Sequence, residues 1–359
     1  MVLENRDEEY VVQRVRAGVL EQGTMETLRD SGVGDRMDRE GALHEGIELR
    51  YEGRGHRIDF KALVGRAIMV YGQQEVVKDL IAARREAAQP LLFEVEDVVP
   101  DPETTTIRFR HDGTEHTLDC RAIAGCDGFH GVCRDAIPEG VLAARTREYP
   151  FGWLGALAEV APSTHELIYA PHDRGFALHS LRSPQLSRLY LQVDPHDDIG
   201  NWPDDRIWQE LHTRLHRDDG WRLKEGPIIE KAITPMRSFL VEPMQYRRLY
   251  LAGDAAHIVP PTGAKGLNLA VADVRVLARA LTDWLRDDDE RGLDAYSETC
   301  LRRVWRVQHF SWWMTSMLHR FPDEDEIHQR LRRAELDYVT SSRAAATVLA
   351  ENYTGMPYT

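Results

Sequence analysis

The chain has 359 residues, a formal net charge of −14, and 42% hydrophobic against 29% charged residues. This length can bury two or three domain cores, and no apolar run is long enough to cross a membrane. The acidic balance excludes a general nucleic-acid-binding surface, so an anionic ligand would need arginines placed locally. The first residues lack the basic-then-apolar order of a signal peptide, which predicts a cytoplasmic protein.

The cysteines carry no recognisable framework. Their spacing matches neither zinc ligands nor a set of disulfides. We therefore predict no metal site and expect reduced thiols at Cys120, Cys126, Cys133 and Cys300.

Residues 2–4 resemble the end of a strand that finishes in an acid, Glu4. In dinucleotide-binding folds such an acid binds ribose hydroxyls and lies about 20 residues beyond a glycine-rich turn. No such turn precedes Glu4 in this sequence. We therefore expect a Rossmann-like domain that lacks its first βα unit of roughly thirty residues; the alternative is that the strand is used differently.

Apolar spacing and alternation predict the elements that follow. The first helices are expected at 19–28 and 70–86. Strands of a small sheet are expected at 91–99, 105–110 and 115–123. An antiparallel sheet in a second domain is expected from strands at 167–169, 175–181 and 188–193. Helices return at 270–286, 295–318 and 325–343, where we expect Trp305, Trp312 and Trp313 to serve core or dimer packing.

The segment 249–270 combines an apolar strand, a turn rich in proline and glycine, and the start of a helix. The strand delivers Asp254 to its carboxyl end, where ligands of open α/β sheets bind. Gly263 and Gly266 let backbone N–H groups approach a ligand, and the helix points its partially positive N-terminus at it. Read alone, Asp254 also fits an ordinary turn with a capping aspartate. The surrounding residues favour a cofactor cradle, and 124–131 form a second strand-to-turn segment of this kind.

Three segments, 14–23, 125–131 and 253–263, together resemble one family. The chain resembles the 4-hydroxybenzoate 3-monooxygenases, which are single-component flavoprotein hydroxylases that use FAD, a reduced nicotinamide and O2. The resemblance covers nearly the whole chain, including 311–316 and 350–353. It implies a homodimeric FAD-dependent monooxygenase that converts 4-hydroxybenzoate to 3,4-dihydroxybenzoate with NADPH or NADH, through a flavin hydroperoxide.

By this resemblance, Glu4 binds the adenosine ribose of FAD, while Arg16, Gln73 and Asp254 hold the pyrophosphate and the ribityl chain. An arginine suits a pyrophosphate because its planar fork supplies two aligned donors, although Arg14 and Arg16 alone also fit exposed helix charges. The resemblance implies further cofactor contacts from Arg14, Asp127, Thr262, Gly263, Leu267 and Asn268. Arg188 matches an interior arginine that influences flavin movement between a buried and an exposed position.

Ser180, Arg182 and Tyr190 match the family's clamp for the substrate carboxylate. A carboxylate taken out of water requires an ion pair and hydrogen bonds, which these three side chains would supply. Tyr169 and the backbone carbonyl of Pro261 match the groups that hold the phenol of the substrate.

Tyr353 and His44 match a relay that carries the phenol proton from Tyr169 toward solvent. A phenol ionises at about pH 10, so ionising it at neutral pH needs such a path. A histidine that titrates near neutrality suits the end of the path. Read singly, each of the three residues also fits core packing.

Tyr10, His130, Arg134 and Arg237 match the family's nicotinamide contacts. The acidic run 7–9 lies where NADPH-dependent members carry basic or neutral residues, and its charges would repel a 2′-phosphate. We therefore predict that NADH is at least competitive with NADPH.

The predicted class is α/β (α+β), with three parts. A Rossmann-like FAD-binding domain covers 1–148 and continues at 237–275, an antiparallel substrate-binding sheet covers 149–236, and C-terminal helices cover 276–359. One alternative is a flavin hydroxylase of another anionic aromatic, such as an aminobenzoate or a dihydroxybenzoate, which a substrate panel would distinguish. The other is an FAD-deficient protein that only binds the aromatic acid, which the visible absorbance of the purified protein would distinguish.

Overall fold

The computed structural model describes residues 1–14 and 18–358. The strands are β1 (Val2–Leu3), β2 (Val19–Leu20), β3 (Ala42–His44), β4 (Gly46–Tyr51), β5 (Arg54–Asp59), β6 (Ile68–Val70), β7 (Leu91–Leu92), β8 (Glu96–Asp101), β9 (Thr106–His111), β10 (Thr114–Asp119), β11 (Ile123–Gly125), β12 (Ala143–Ala158), β13 (Ile168–Ala170), β14 (Ala177–Ser183), β15 (Leu186–Val193), β16 (Ile228–Glu242), β17 (Gln245–Tyr246), β18 (Leu249–Leu251) and β19 (His257–Ile258). The helices are α1 (Glu8–Gln13), α2 (Gln22–Asp30), α3 (Asp35–Glu40), α4 (Phe60–Val64), α5 (Gln73–Glu86), α6 (Asp204–Arg214), α7 (Gly266–Asp287), α8 (Arg291–Asp294), α9 (Tyr296–Leu318), α10 (Glu326–Ser341) and α11 (Arg343–Thr354). Short 3₁₀ turns occupy Ile199–Asn201, Gly253–Ala255 and Pro261–Gly263.

An eight-stranded sheet occupies the middle of the chain, in the order β19-β16-β12-β15-β14-β13-β4-β5. Its neighbours are antiparallel except β13 and β4, which run parallel. The predicted antiparallel sheet is therefore confirmed, with β13, β14 and β15 at the predicted places. The sheet is larger than predicted, because β4, β5 and β16 join it as well.

The strand β16 escaped the pattern because Pro235 interrupts it, and a proline cannot donate a ladder hydrogen bond. In the structure Pro235 lies opposite Gly152 of β12, beside a register shift between Glu148 and Gly152. A Cβ on residue 152 would lie 2.8 Å from the Thr234 carbonyl oxygen, so only glycine fits this approach. Because Gly152 allows this close approach opposite Pro235, β12 and β16 pair along their length although the proline has no N–H to donate.

Two parallel pairs lie outside that sheet: β1 with β7, and β11 with β18. They belong to separate sheets, and antiparallel β8–β10 form another. The predicted mixed α/β class with antiparallel sheets and C-terminal helices is confirmed. Within the described ranges, no helix combines the length and the apolar character needed to span a membrane.

Several predicted helix boundaries were wrong. Residues 19–20 form β2 and 68–70 form β6, so α2 begins at Gln22 and α5 at Gln73. Short buried strands before each helix extend the apolar pattern, which periodicity alone does not separate from the helix. The last predicted helix ends at Ser341, and α11 follows because the Ser342 side chain caps a new helix by accepting from Ala345 N.

One core joins the eight-stranded sheet to the C-terminal helices. It packs Tyr169 and Phe176 from the sheet against Met314 of α9 and Leu349 of α11. This contact places the C-terminal helices directly behind the strands that carry the predicted substrate residues.

Candidate functional site

The strand–turn–helix predicted from residues 249–270 is confirmed. β18 is buried along its length and ends in the 3₁₀ turn Gly253–Ala255, and α7 begins at Gly266. Gly253 has φ +62°, a left-handed conformation that favours glycine. The turn leaves Asp254 exposed, and its carboxylate has no hydrogen-bond partner among the described residues. The carboxylate is therefore available to a ligand.

A cavity of about 580 Å³ opens between this turn and the eight-stranded sheet. Its lining brings together predicted substrate residues and predicted cofactor residues. The predicted residues that line it are Gln73, Tyr169, Ser180, Arg182, Tyr190, Asp254, Pro261 and Leu267. A volume of this size is typical of a small-molecule site.

Arg182 provides a cation inside the cavity. Its Nη1 donates to Ser180 Oγ at 3.3 Å and to the Leu181 carbonyl at 2.9 Å, and its Nη2 donates to Tyr190 Oη at 3.4 Å. Burial lowers the pKa of Arg182, and Nε has no partner among the described residues. Within those residues no carboxylate pairs with this guanidinium. A buried cation with unused donors is a site for an anionic group, and a carboxylate matches its planar fork.

The aromatic wall of the cavity includes residues that sequence reasoning missed. Trp153, Leu167, Leu178 and Thr234 line it beside the clamp. Leu178 and Ser180 are two positions apart on β14 and therefore share a face. Strand alternation could have found Leu178 from Ser180, whereas Trp153 comes from a different strand and depends on the sheet order.

The hydroxyls of Tyr169 and Tyr353 lie 2.5 Å apart, and both side chains are 1% exposed. Tyr169 lines the cavity and Tyr353 lies behind it on α11. Burial raises the pKa of both phenols, so both remain neutral at pH 7. A neutral hydroxyl can accept one proton while donating another, which is the property that a relay requires.

His44 differs from its predicted role in one respect. It is 1% exposed, and neither of its ring nitrogens has a protein hydrogen-bond partner among the described residues. Burial lowers the pKa of His44 to about 4, so the expectation of titration near neutrality is wrong for this residue. The imidazole is uncharged at neutral pH, and the structure shows no direct bond between it and Tyr353.

Other residues that line the cavity suit a cofactor. Gly128, with φ +78°, and Gly266, at the first turn of α7, line it together with Gln73 and Asp254. α7 has 22 residues, and its N-terminus contributes a partial positive charge to this wall. Bare backbone, two polar side chains and a helix N-terminus fit the sugar-like chain and the electron-rich ring edge of a flavin.

Three predicted cofactor residues have side chains that are committed elsewhere. Asn268 accepts at Oδ1 from Glu21 N and Thr24 Oγ1, and Nδ2 donates to the carbonyls of Val19 and Ala264, so its amide is saturated. Thr262 is fully buried, and its hydroxyl bonds to Thr315 Oγ1 at 2.8 Å. Asp127 accepts from Cys133 N at 2.8 Å.

The Asn268 amide therefore has no donor or acceptor left for a ligand, and the Thr262 hydroxyl is already paired with Thr315, so a cofactor contact by these two residues stays a prediction that would run through their backbone. The adjoining Gly263 is buried, and because glycine has no side chain its backbone can approach neighbouring groups closely. These residues shape the turn rather than present a side chain to the cavity.

Lys265 lines the cavity floor and was not predicted. It is 1% exposed, and Nζ donates to Glu21 Oε1 at 2.6 Å and to the carbonyls of Asn352 and Tyr353 at 2.5 and 2.9 Å. Burial lowers the pKa of this lysine, and Glu21 opposes that effect. Lys265 is the only charged residue of the segment 264–272, and this lone cation was the sequence feature that could have indicated a buried ion pair.

His257 and Asp273 form a second missed pair beneath the Asp254 turn. Their side chains meet at 2.5 Å, and Asp273 also accepts from Gly253 N at 3.0 Å. Both residues are buried. Asp273 therefore ties α7 to the turn that carries Asp254.

The predicted N-terminal residues lie away from the cavity lining. Glu4 accepts from Arg6 N at 2.9 Å, and exposed Arg14 lies over the Tyr10 ring at 5.5 Å. Arg16 falls outside the described residues. The roles of these residues stay predictions.

The nicotinamide residues predicted from the resemblance gather around Phe129, except Tyr10. The guanidinium groups of Arg134 and Arg237 lie 4.9 and 3.8 Å from the Phe129 ring centroid, and His130 meets the same ring edge-on. Arg188 instead pairs with Glu230 at 3.0 Å and approaches the Tyr190 ring. None of these arginines lines the cavity.

The acidic run carries less unpaired charge than the sequence suggested. Glu8 forms an ion pair with Arg85, Asp7 accepts from Tyr10 N as the cap of α1, and Glu9 accepts from Gln13. Among the three acids, one is therefore neutralised by a neighbouring arginine.

The chain matches the family model of the FAD binding domain over residues 1–311. It is 47% identical over 361 residues to p-hydroxybenzoate hydroxylase from Acinetobacter baylyi, an alignment that covers 100% of this chain and 89% of that protein. It is 24% identical over 200 residues to a probable NADH-specific resorcinol 4-hydroxylase from Rhodococcus jostii, covering 52% of this chain and 34% of the relative. The crystal structure of p-nitrophenol 4-monooxygenase PnpA from Pseudomonas putida DLL-E4 has the same fold, with a TM-score of 0.82 at 18% identity and coverage of 99% and 92%.

Proposed function

Because this chain belongs to the family of FAD-dependent aromatic hydroxylases that includes p-hydroxybenzoate hydroxylase, we propose that it converts 4-hydroxybenzoate to 3,4-dihydroxybenzoate with a reduced nicotinamide and O2. The observation that carries the substrate assignment is the buried guanidinium of Arg182, which faces the cavity without a carboxylate partner in the described chain. It lies in the same cavity as the Tyr169 hydroxyl. A para-hydroxy acid would span these two groups.

The clamp binds and orients the ring. Arg182 would take the substrate carboxylate as a charge-assisted pair, with the Ser180 and Tyr190 hydroxyls completing its hydrogen bonds. The apolar side chains of Trp153, Leu167 and Leu178 would exclude water from the ring. This fixes which ring carbon faces the cofactor side of the cavity.

The tyrosine pair would move the phenol proton. Tyr169 would accept it while passing its own proton to Tyr353, and Tyr353 would in turn release its own proton onward, so no charge builds on either buried hydroxyl. An electron-rich phenolate attacks an electrophilic oxygen better than a phenol does. His44 would pass the proton on toward solvent rather than keep it, because burial lowers its pKa to about 4, and other groups would link it to Tyr353.

FAD, reduced by the nicotinamide, supplies the activated oxygen when bound. Gln73 and Asp254 would hold its polar chain, and the N-terminus of α7 would stabilise negative charge on its ring edge. Arg188 would influence its movement. The cluster of His130, Arg134 and Arg237 around Phe129, with Tyr10, would receive the nicotinamide nucleotide.

The domain division at 148/149, 236/237 and 275/276 is part of the same proposal, with β12 and β16 running across the first two boundaries. We also propose a homodimer, supported by exposed apolar side chains on one face of α10: Ile327, Leu331 and Tyr338. A cytoplasmic location is proposed because the four cysteines are free thiols.

Product chromatography tests the proposed reaction. The chain, supplied with FAD, NADH or NADPH, O2 and 4-hydroxybenzoate, should form 3,4-dihydroxybenzoate, and Arg182→Met should not at the same substrate concentration. A panel with aminobenzoates and dihydroxybenzoates should give lower kcat/KM values. Absence of the dihydroxy acid despite bound flavin and oxidised nicotinamide would overturn the assignment.

A further inference from the structure

Trp153 forms a wall of the cavity directly beside the carboxylate clamp. Its indole stacks on Phe176, with centroids 5.4 Å apart and an angle of 21°, and it packs at 4.9 Å against the ring of Tyr190. Tyr190 in turn accepts from Arg182. The position of this indole therefore sets how much width the cavity has next to the clamp.

His319 holds Trp153 from behind. Trp153 Nε1 donates to His319 Nε2 at 2.7 Å, and His319 Nδ1 donates to the Thr315 carbonyl at 3.1 Å, which fixes the tautomer. Phe151 stacks on the imidazole at 4.7 Å and 6°. Burial lowers the pKa of His319 to about 3, so Nε2 stays an acceptor at neutral pH.

The backbone around His319 is itself fixed to the substrate sheet. The His319 N–H donates to the Thr315 carbonyl, and its carbonyl accepts from Arg332 Nη1 at 2.6 Å. The next residue, Arg320, donates from its backbone N to Gln192 Oε1 on β15 at 3.1 Å. The imidazole therefore has no freedom to follow the indole if the indole moves.

We propose that His319 is a positioning residue that locks Trp153 as the selectivity wall of the aromatic subsite, so that the clamp accepts single-ring acids and rejects bicyclic ones. An indole that is stacked on Phe176, packed against Tyr190 and tied at its N–H cannot turn aside for a wider ligand. The inference rests on the proposed function only in taking an aromatic acid as the ligand, and it does not require hydroxylation.

Equilibrium dialysis of the full chain in the presence of FAD tests this, with 4-hydroxybenzoate and 6-hydroxy-2-naphthoate as probes. The measured quantity is the ratio of their two dissociation constants. His319→Phe removes the acceptor and should reduce the preference for the single ring more than threefold. His319→Gln keeps an acceptor and should retain most of the preference. A His319→Phe ratio within threefold of the parent, or an equal loss in His319→Gln, would overturn the proposal.

His179→Phe is the matched control. His179 is also a fully buried histidine, and its Nε2 accepts from Ser163 N at 3.1 Å, on the opposite face of β14 from Ser180. The control should leave the ratio unchanged, and an equal shift there would show general loosening and overturn the role of His319.

Two further measurements complete the test. If thermal unfolding shows that His319→Phe does not fold, Trp153→Phe replaces it. The smaller phenyl ring lacks the N–H and should lower the preference for the single-ring acid in the same way. An unchanged ratio of dissociation constants would again overturn the proposal. Turnover of the parent separates the two claims. If the parent forms no dihydroxybenzoate while His319→Phe still shifts the ratio of dissociation constants, the proposed reaction is refuted and the role of the wall stands.

Discussion

The hydroxyl of Tyr169 meets the hydroxyl of Tyr353 at 2.5 Å, across 184 residues of sequence and at full burial. This contact leads from the cavity to the C-terminal helix. We expect Tyr169→Phe to bind 4-hydroxybenzoate within a few-fold of the parent while forming at least about tenfold less product per nicotinamide oxidised, because the lost hydroxyl serves the transition state. Product and hydrogen peroxide, measured together, give the coupling.

Tyr51→Phe serves as the control for that variant. It also removes a phenolic hydroxyl from a buried ring, one that bonds Asp337 and Thr340 away from the cavity. Coupling should stay at the parent value there. Unchanged coupling in Tyr169→Phe would argue against the relay.

Arg182→Met should weaken binding of the substrate carboxylate. Loss of one partner of a desolvated charge pair costs about 2–5 kcal/mol, so we expect the dissociation constant to rise by at least about thirtyfold. Titration calorimetry with 4-hydroxybenzoate and with its neutral amide measures this. The amide should lose much less affinity than the acid, and equal losses would show that Arg182 serves packing alone.

Lys265→Met should destabilise the protein, because it leaves the Glu21 carboxylate buried without its cation. Breaking one side of a buried pair costs about 3–5 kcal/mol. Urea unfolding should show this loss, and adding Glu21→Gln should recover a large part of it. Arg330→Met, which breaks the exposed pair with Glu326, should cost less than about 1 kcal/mol. A similar small cost at Lys265 would contradict the assigned role.

Protonation of His44 should make stability depend on pH. Burial lowers its pKa to about 4 from an ordinary value of 6.5, so between these values the unfolded chain binds a proton that the folded chain does not. The free energy of unfolding is therefore unaffected above pH 6.5 and falls as the pH drops toward 4, by up to about 1.4 kcal/mol per pH unit. His44→Gln removes this titrating group, so the free energy of unfolding should depend less steeply on pH, by the equivalent of about one bound proton. Urea unfolding at pH 7, 6 and 5 measures it, with exposed His196→Gln as control; equal slopes would refute the burial effect.

The nicotinamide preference should be weak. Glu9 is the acid of the run 7–9 that neither caps α1 nor pairs with an arginine. Repulsion of a 2′-phosphate by one acid is worth on the order of 1 kcal/mol, so Glu9→Gln should raise kcat/KM for NADPH about fivefold relative to NADH. Glu139→Gln, which removes an acid outside the run 7–9, is the control and should leave the ratio of the two kcat/KM values unchanged. A parent preference for NADPH above about tenfold, or roughly 1.4 kcal/mol, would contradict the prediction.

The sequence predicted those parts of the site that depend on local order. The strand, the glycine turn and the helix around Asp254 are consecutive, so composition and spacing suffice to place them. The clamp at Ser180 and Arg182 was indicated by the resemblance, and alternation predicted the strand that carries Ser180. Both lie in the cavity as expected.

The parts that failed depend on distant partners. Lys265 meets Glu21 across 244 positions, and the Asn268 amide is saturated by groups near residue 21, so neither outcome is visible in a local window. The pKa of His44 follows from burial by the whole fold rather than from its neighbours in sequence. Pairing and desolvation are tertiary effects, and periodicity does not report them.

The last helix contributes to the site from the far end of the chain. The cavity is lined by residues between 18 and 274, whereas the second hydroxyl of the tyrosine pair and two of the three oxygens around Lys265 come from residues 352 and 353. The residues of the arginine clamp thus precede in the chain the residues that provide the proton exit and the two carbonyls around Lys265. The proton path of the site is complete only when α11 is docked, so the folding of the sheet alone does not complete the site.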